Sequence, residues 1–100
     1  MYDVTVDING LTNEQLVCFI NAGDSSLLQE LFRRFDGILR QKAVKFSACL
    51  DFDDLVQEGL IALFSATKVY NSSLSSFTTF ATMCIDRAMC TLYRKMVAKK

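Results

Sequence analysis

The sequence predicts an all-α fold, a compact bundle of four helices forming one domain. Three observations carry that prediction. The chain of 100 residues has no proline and only four glycines, so few positions interrupt a helix. Its apolar residues recur at spacings of three and four rather than two. Helix-capping residues stand where the periodic segments begin. Apolar residues make up 51% and charged residues 22%, an ordinary globular balance that argues against wholesale disorder. A chain of this length buries roughly two-thirds of its unfolded surface, enough for a single core.

Residues 1–11 read as a lead-in segment, in which Val4, Val6 and Ile8 alternate over too short a run to make a sheet. The helical domain is expected over 12–98. Thr12 and Gln15 form a capping box at the start of helix one, with Leu11 and Leu16 as its hydrophobic staple. Gly23 supplies the stop. Asp24 is expected to cap a longer second helix reaching about Phe46. Its apolar stripe is Leu28, Leu31, Phe32, Phe35, Ile38 and Leu39. Gly37 inside it costs up to ~1 kcal/mol relative to alanine without breaking the helix. Asp51 caps the third helix, with Asp54 three positions on, and the helix runs to about Tyr70. Asn71-Ser72-Ser73 is the turn. Ser75 or Ser76 caps the fourth helix, which runs towards Val97.

The formal net charge is zero, but the charges are segregated. Asp51, Asp53, Asp54 and Glu58 form an acidic run with no base among them. From Ser76 onwards Arg87, Arg94, Lys95, Lys99 and Lys100 face a single acid, Asp86. Such a distribution suits two different partners, or else each cluster complements the dipole of its own helix end.

The composition also excludes several function classes. Cys18, Cys49, Cys84 and Cys90 show no C-x-x-C spacing and there is no histidine. A zinc site, a disulfide framework and histidine-based catalysis are therefore not expected. No nucleophile–base pair is visible, so the chain does not read as an enzyme, and no cofactor or small-molecule substrate is expected. No apolar run approaches the ~20 residues of a membrane span, and Asp3 and Asp7 interrupt any secretory signal. A cytoplasmic protein with reduced thiols is the expectation.

Two helix faces exceed what a core requires. On helix four, Phe77, Ala81, Cys84, Ile85, Ala88 and Leu92 fall in one arc of roughly 100°, the expected core stripe. Thr79, Phe80, Met83, Arg87, Cys90 and Arg94 occupy an opposite arc with Asp86 at its edge. Arginines for phosphates beside flat or soft apolar groups for an unstacked base suit nucleic acid. Phe80 at the core border against helix three, and Arg94 with Lys95 answering the helix dipole, are the simpler alternatives. On helix three, Leu55, Gly59, Ala62, Leu63, Ala66 and Tyr70 turn inward, while Asp54, Gln57, Glu58, Ile61 and Ser65 turn out. Ile61 between carboxylates reads as a greasy contact centre with an acidic rim awaiting a basic partner, or as one stray apolar residue on a solvated turn. Gly59 in mid-helix is expected to permit close approach of a neighbouring helix.

Asp54-Leu55-Val56-Gln57-Glu58-Gly59-Leu60 is similar to the polymerase-binding segment of the sigma-70 family, D-[LI]-[VI]-Q-E-G. Phe77-Thr78-Thr79-Phe80-Ala81-Thr82 is similar to F-S-T-Y-A-T of that family's promoter-melting helix. Leu74 to Phe77, Phe80-Ala81, Cys84-Ile85 and Arg87 are closer still to sporulation-type, sigma-H-like factors. Ala22-Gly23-Asp24 and the basic stretch Arg33 to Lys45 fit the same alignment. The resemblance to sigma factor region 2 covers about residues 12 to 96.

That resemblance implies that Asp54, Gln57 and Glu58 bind the coiled coil of the β′ subunit of core RNA polymerase, and the face reading adds Ile61 to that polymerase-binding set. It implies that Phe80 stacks on a base flipped from the non-template strand of the promoter −10 element. Arg87 and Cys90 fall where primary sigma factors contact the upstream base pair of that element. An anti-sigma factor is a further partner the family admits. Met83 and Cys84 stand where primary sigma factors carry two tryptophans, and Asp86, where an arginine is usual, would repel phosphate. These departures imply weakened, promoter-dependent or absent melting. The alternative reading is therefore a sigma-like regulatory or decoy protein that binds polymerase without opening DNA. A helix-turn-helix repressor fits poorly, because helix four lacks the preceding short helix and its basic residues are few. No −35-reading domain is expected within this chain, which reads either as a fragment cut between two domains of a longer factor or as a stand-alone module.

Overall fold

Thr12 opens the first helix through the expected capping box. Its hydroxyl accepts from the Gln15 amide at 3.1 Å, and its own N–H donates to the Gln15 side chain at 2.7 Å. Helix α1 (Asn13–Asn21) then runs to a glycine stop. Gly23 has φ 113°, and its N–H reaches Ile20 while Asp24 reaches back to Phe19. Those two bonds are the Schellman closure, which needs the left-handed residue only glycine adopts without strain. The computed structural model describes residues 8–98. The alternation at Val4 and Val6 and the terminal Lys99 and Lys100 lie outside them.

Helix α2 (Leu28–Phe46) follows, but Asp24 does not cap it. A 3₁₀ turn over Ser25–Leu27 intervenes, and the Asp24 carboxylate instead accepts from the Ser26 hydroxyl at 2.5 Å. An Asx-type side chain can satisfy a local hydroxyl as readily as a helix end, so the cap signal was real but locally diverted. Helix α3 (Phe52–Val69) is capped as expected, the Asp51 carboxylate accepting from the Asp54 amide at 3.1 Å. Asn71 organises the connection, its side-chain oxygen accepting from the amide and hydroxyl of Ser73.

Helix α4 (Phe77–Ala98) has Ser76 as its first cap, the hydroxyl accepting from Thr79 at 3.2 Å. A second cap comes from a distant element. The Glu14 carboxylate of α1 accepts the Phe77 N–H at 2.7 Å, and Asn13 donates to the Thr78 hydroxyl at 2.8 Å. A carboxylate at a helix N-terminus satisfies an orphan donor and complements the dipole. At its other end α1 is tied to α3, because Asn21 donates to the Thr67 carbonyl at 2.6 Å. Helix α1 thus clasps the end of α3 to the start of α4.

The lead-in is likewise anchored where it is described. Ile8–Gly10 forms a 3₁₀ turn, and Arg34 of α2 donates to the carbonyls of Ile8 and Leu11 at 2.8 and 2.6 Å. The same guanidinium donates to Glu30 at 2.8 Å. Hydrogen bonds from Arg33 and Arg34 hold the Glu30 carboxyl down to about 2.

The core is built from one stripe of each helix: Leu16 and Ile20; Leu31, Phe35, Leu39 and Ala43; Leu55, Leu63 and Ala66; Phe77, Ala81, Ile85 and Met89. Helix α3 packs most extensively on α4, and α2 covers both. Periodicity named most of this stripe correctly. On α4, however, the fully buried row is Phe77, Ala81, Ile85 and Met89, while Cys84, Ala88 and Leu92 are half-buried. Steps of four drift around the helix by about 40° each, so a crossing neighbour follows that ridge rather than a straight stripe.

Gly59 lies at the crossing. A Cβ there would come 2.5 Å from Leu39 Cδ2 and 2.9 Å from Met89 Cε, with Ile85 Cγ2 at 3.5 Å. A side chain there would fit only if the ends of Leu39 and Met89 gave way, in keeping with the close helix approach expected at this glycine. Gly37 is the opposite case, exposed on α2 with nothing within 4 Å of such an atom. Gly37→Ala should therefore stabilise the fold by about 0.5–1 kcal/mol through helix propensity. Gly59→Val should cost about 1–3 kcal/mol by overpacking. Thermal unfolding of the two variants, which should move the melting temperature in opposite directions, checks both.

Candidate functional site

Once α3 and α4 have spent their inward stripes on each other, two outward faces remain. On α3 the exposed residues include Asp54, Gln57, Ile61 and Ser65, as the 100° rotation per residue predicts. Ile61 is 56% exposed and points away from the buried row of Leu55, Gly59, Leu63 and Ala66. Phe64 extends the apolar centre one turn further, 41% exposed. The Lys68 ammonium lies 5.1 Å from its ring centroid. Sequence reading passed over Phe64, although its place three residues after Ile61 on the same face was the available signal. The patch is therefore Gln57, Ile61 and Phe64 with Asp54 beside them, apolar at its centre and acidic towards the N-terminal end.

Glu58 departs from that face. It is half-buried and lines a groove between α3 and α4 with Cys84, Arg87, Leu92 and Lys95. The groove carries one acid and two bases along its walls. Glu58 thus borders both faces rather than belonging to the first alone.

On α4, Thr79, Met83, Arg87 and Arg94 are exposed, and Cys90 is half-buried. Met83, 42% exposed, is centred on this face opposite the core row. Phe80 occupies the margin nearest α3. It is half-buried, and its ring lies 5.9 Å from that of Tyr70. Tyr70 in turn packs edge-on against Phe77 at 5.2 Å, and Phe77 edge-on against Phe35 at 5.8 Å. A run of aromatic rings therefore leads from the centre of the core to Phe80 at the surface, each favouring the offset or edge-to-face contact of its quadrupole. Phe80 thus leans on the core border, as the simpler of its two sequence readings had it, and remains half-buried there.

Tyr70 is the support that sequence reading treated only as core. Its hydroxyl donates to the Ser75 carbonyl at 2.7 Å, tying the turn that precedes α4 to the end of α3. Desolvation, with the Glu14 charge nearby, pushes its phenol above the ordinary range. Cys84 lies in the groove beside Arg87, where burial raises its thiol and the arginine partly opposes that. Among the described residues no cluster of cysteine and carboxylate groups could hold a metal ion, and no helix is long and apolar enough to cross a membrane.

The two helices that bear these faces lie, but for the last residue of α4, inside one segment, 31–97, that matches the family model Sigma-70 region 2. The chain belongs to the sigma-70 region 2 family. It is also 33% identical over 92 residues to the RNA polymerase sigma-H factor of Bacillus licheniformis and to that of Bacillus subtilis (strain 168), matching 90% of this chain. It spans 41% and 42% of the lengths of those two relatives. No solved structure gives a significant match.

Within this region 2 domain the Asp86 position differs from its expectation. It does not stand as an isolated charge repelling phosphate. Its carboxylate accepts from Lys45 of α2 at 3.2 Å, and the Lys42 ammonium lies 3.6 Å from the same oxygen. Sequence spacing had no means of pairing residues 41 and 44 positions apart. Clasp α1 lies ahead of the matched family segment, yet it supplies Glu14 to the start of the region 2 helix that carries Phe80.

Removing the Tyr70 hydroxyl tests how far this support matters. Tyr70→Phe should cost about 0.5–1.5 kcal/mol of stability, the worth of one hydrogen bond. Tyr70→Ala should cost more and broaden the Phe80 ring resonances in an NMR spectrum, because the ring loses its neighbour.

Proposed function

We propose that this chain is the polymerase-binding and promoter-opening module of a sigma factor. The observation that carries the reading is the family match over 31–97 falling on two adjacent helices whose outward faces differ in chemistry. Asp54, Gln57, Ile61 and the bordering Glu58 bind the basic side of a coiled coil in the β′ subunit of core polymerase. An apolar centre ringed by acids gives affinity from burial and orientation from charge. Thr79, Phe80, Met83, Arg87, Cys90 and Arg94 meet the −10 element, with Phe80 stacking on an unpaired base of the non-template strand. A flipped base loses stacking worth a few kcal/mol, which an aromatic surface returns. Arg87 and Arg94 neutralise phosphates beside it. A role in transcription without catalysis of its own follows, and an anti-sigma factor would compete for one of these faces.

A second reading has specific support. Phe80 is partly occupied by Tyr70, and Met83 and Cys84 replace the tryptophan pair of primary sigma factors. A protein so built could bind polymerase and leave DNA closed, acting as a decoy or regulator.

Titration with the isolated β′ coiled coil separates these from a likeness of fold alone. Saturable binding is expected, weakened tenfold or more by Ile61→Lys and by Glu58→Lys; a folded domain that does not bind refutes both readings. Phe80→Ala should leave coil binding unchanged and abolish binding of single-stranded −10 DNA by the coil-bound domain. A coil-binding domain with no affinity for that strand, before any substitution, would establish the decoy.

A further inference from the structure

The pairing at Asp86 has a consequence for the edge of the α4 face. Two lysines converge on one carboxylate oxygen, Lys45 at 3.2 Å and Lys42 at 3.6 Å. One carboxylate neutralises one ammonium, so the cluster keeps a net positive charge. Lys45 is further held in place by the Phe46 ring, 5.5 Å from its ammonium, and Phe46 packs against Tyr93 of α4 at 5.4 Å. Its side chain is nevertheless 57% exposed. A cation whose direction is set by two neighbours and whose surface is open loses little entropy on meeting a further anion. Asp86 sits at the margin of the arc that holds Thr79, Met83, Cys90 and Arg94, so the lysines continue that arc across the gap from α4 to α2.

We propose that Lys42 and Lys45 form a second, sequence-independent phosphate-binding edge of the nucleic-acid face, and that Asp86 positions them while restraining their affinity. The ligand is the sugar–phosphate backbone of duplex DNA, which passes from the α4 arginines onto α2. This rests on the reading of α4 as a nucleic-acid face. Each lysine would neutralise about one phosphate and release about one counterion. A phosphate approaching the pair competes with the Asp86 carboxylate, so removing that carboxylate frees both ammonium groups for DNA. In this arrangement the acid that sequence reading took for a defect in DNA binding is a setting device on two cations.

The test is binding of this chain to a labelled AT-rich duplex across a salt series, with Lys42→Gln/Lys45→Gln, Asp86→Asn and the triple variant. The double lysine variant should lose affinity and lower the slope of log K against log salt by about two. Asp86→Asn should raise affinity several-fold, and most of that gain should vanish in the triple variant. A circular dichroism melt of each variant confirms that it is folded. An unchanged salt slope in a folded double lysine variant overturns the proposal. So does an Asp86→Asn gain that survives undiminished without the lysines, since Asp86 then acts on DNA directly. If the unsubstituted chain binds duplex and Arg87→Ala/Arg94→Ala does not weaken it, the reading of α4 fails separately. Absence of any duplex binding at low salt defeats both.

Discussion

The structure depends on the absence of one side chain. At Gly59 the backbone of α3 approaches Leu39 of α2 and Met89 of α4 so closely that a Cβ would overlap both. Side chains of α2 and α4 meet α3 at that point, and the close approach there favours one rotation of α3 against α4. Rotation decides which residues remain outside. With Leu55, Leu63 and Ala66 committed to the crossing, Ile61 is turned to solvent. With Ile85 and Met89 committed to it from the other side, Met83 and Arg87 are turned out. The two candidate faces follow from a packing constraint that neither face contains. Interiors packed at crystal-like density transmit such a constraint without slack.

Around that crossing the polar groups act as ties between elements more than as independent sources of stability. Helix α1 is nine residues long and too short to persist alone. It is held by its apolar residues, and in return it joins both ends of the α3–α4 connection. Glu14 closes the start of α4 and Asn21 the end of α3, while Tyr70 bridges the connection from within. The residue with the clearest role in the proposed chemistry, Phe80, is thereby placed one turn after a helix start with three separate anchors. A stacking platform needs such a support, because a ring free to rotate would spend part of the stacking energy on being ordered.

Charge is arranged on the same principle. A net charge of zero hides an acidic first turn on α3 and a basic edge shared by α4 and α2. The groove lined by Glu58, Arg87 and Lys95 lies between them, at the border the two faces share. Partners of opposite charge can meet the domain on different sides, with the zero total minimising non-specific attraction to either.

Much of the fold was legible in the residues themselves, because its signals are local. The capping box at Thr12, the glycine stop at Gly23, the Asp51 cap and the three-and-four spacing each act within one or two turns, and all four describe the structure. The outward positions on α3 and α4 were legible for the same reason, since a helix of known period and known core stripe has a known opposite side. What tertiary structure alone decided lies between elements. It diverted Asp24 to Ser26, shifted the buried row of α4 to Met89, and drew Glu58 into a groove. It seated Phe80 against Tyr70 and joined Asp86 to lysines on another helix. Such pairings depend on how rigid helices cross, and a crossing is set by the combined shapes of two surfaces. Sequence by itself determined the four α-helices of the described residues and which sides of α3 and α4 would be wet; packing decided what those wet sides would touch.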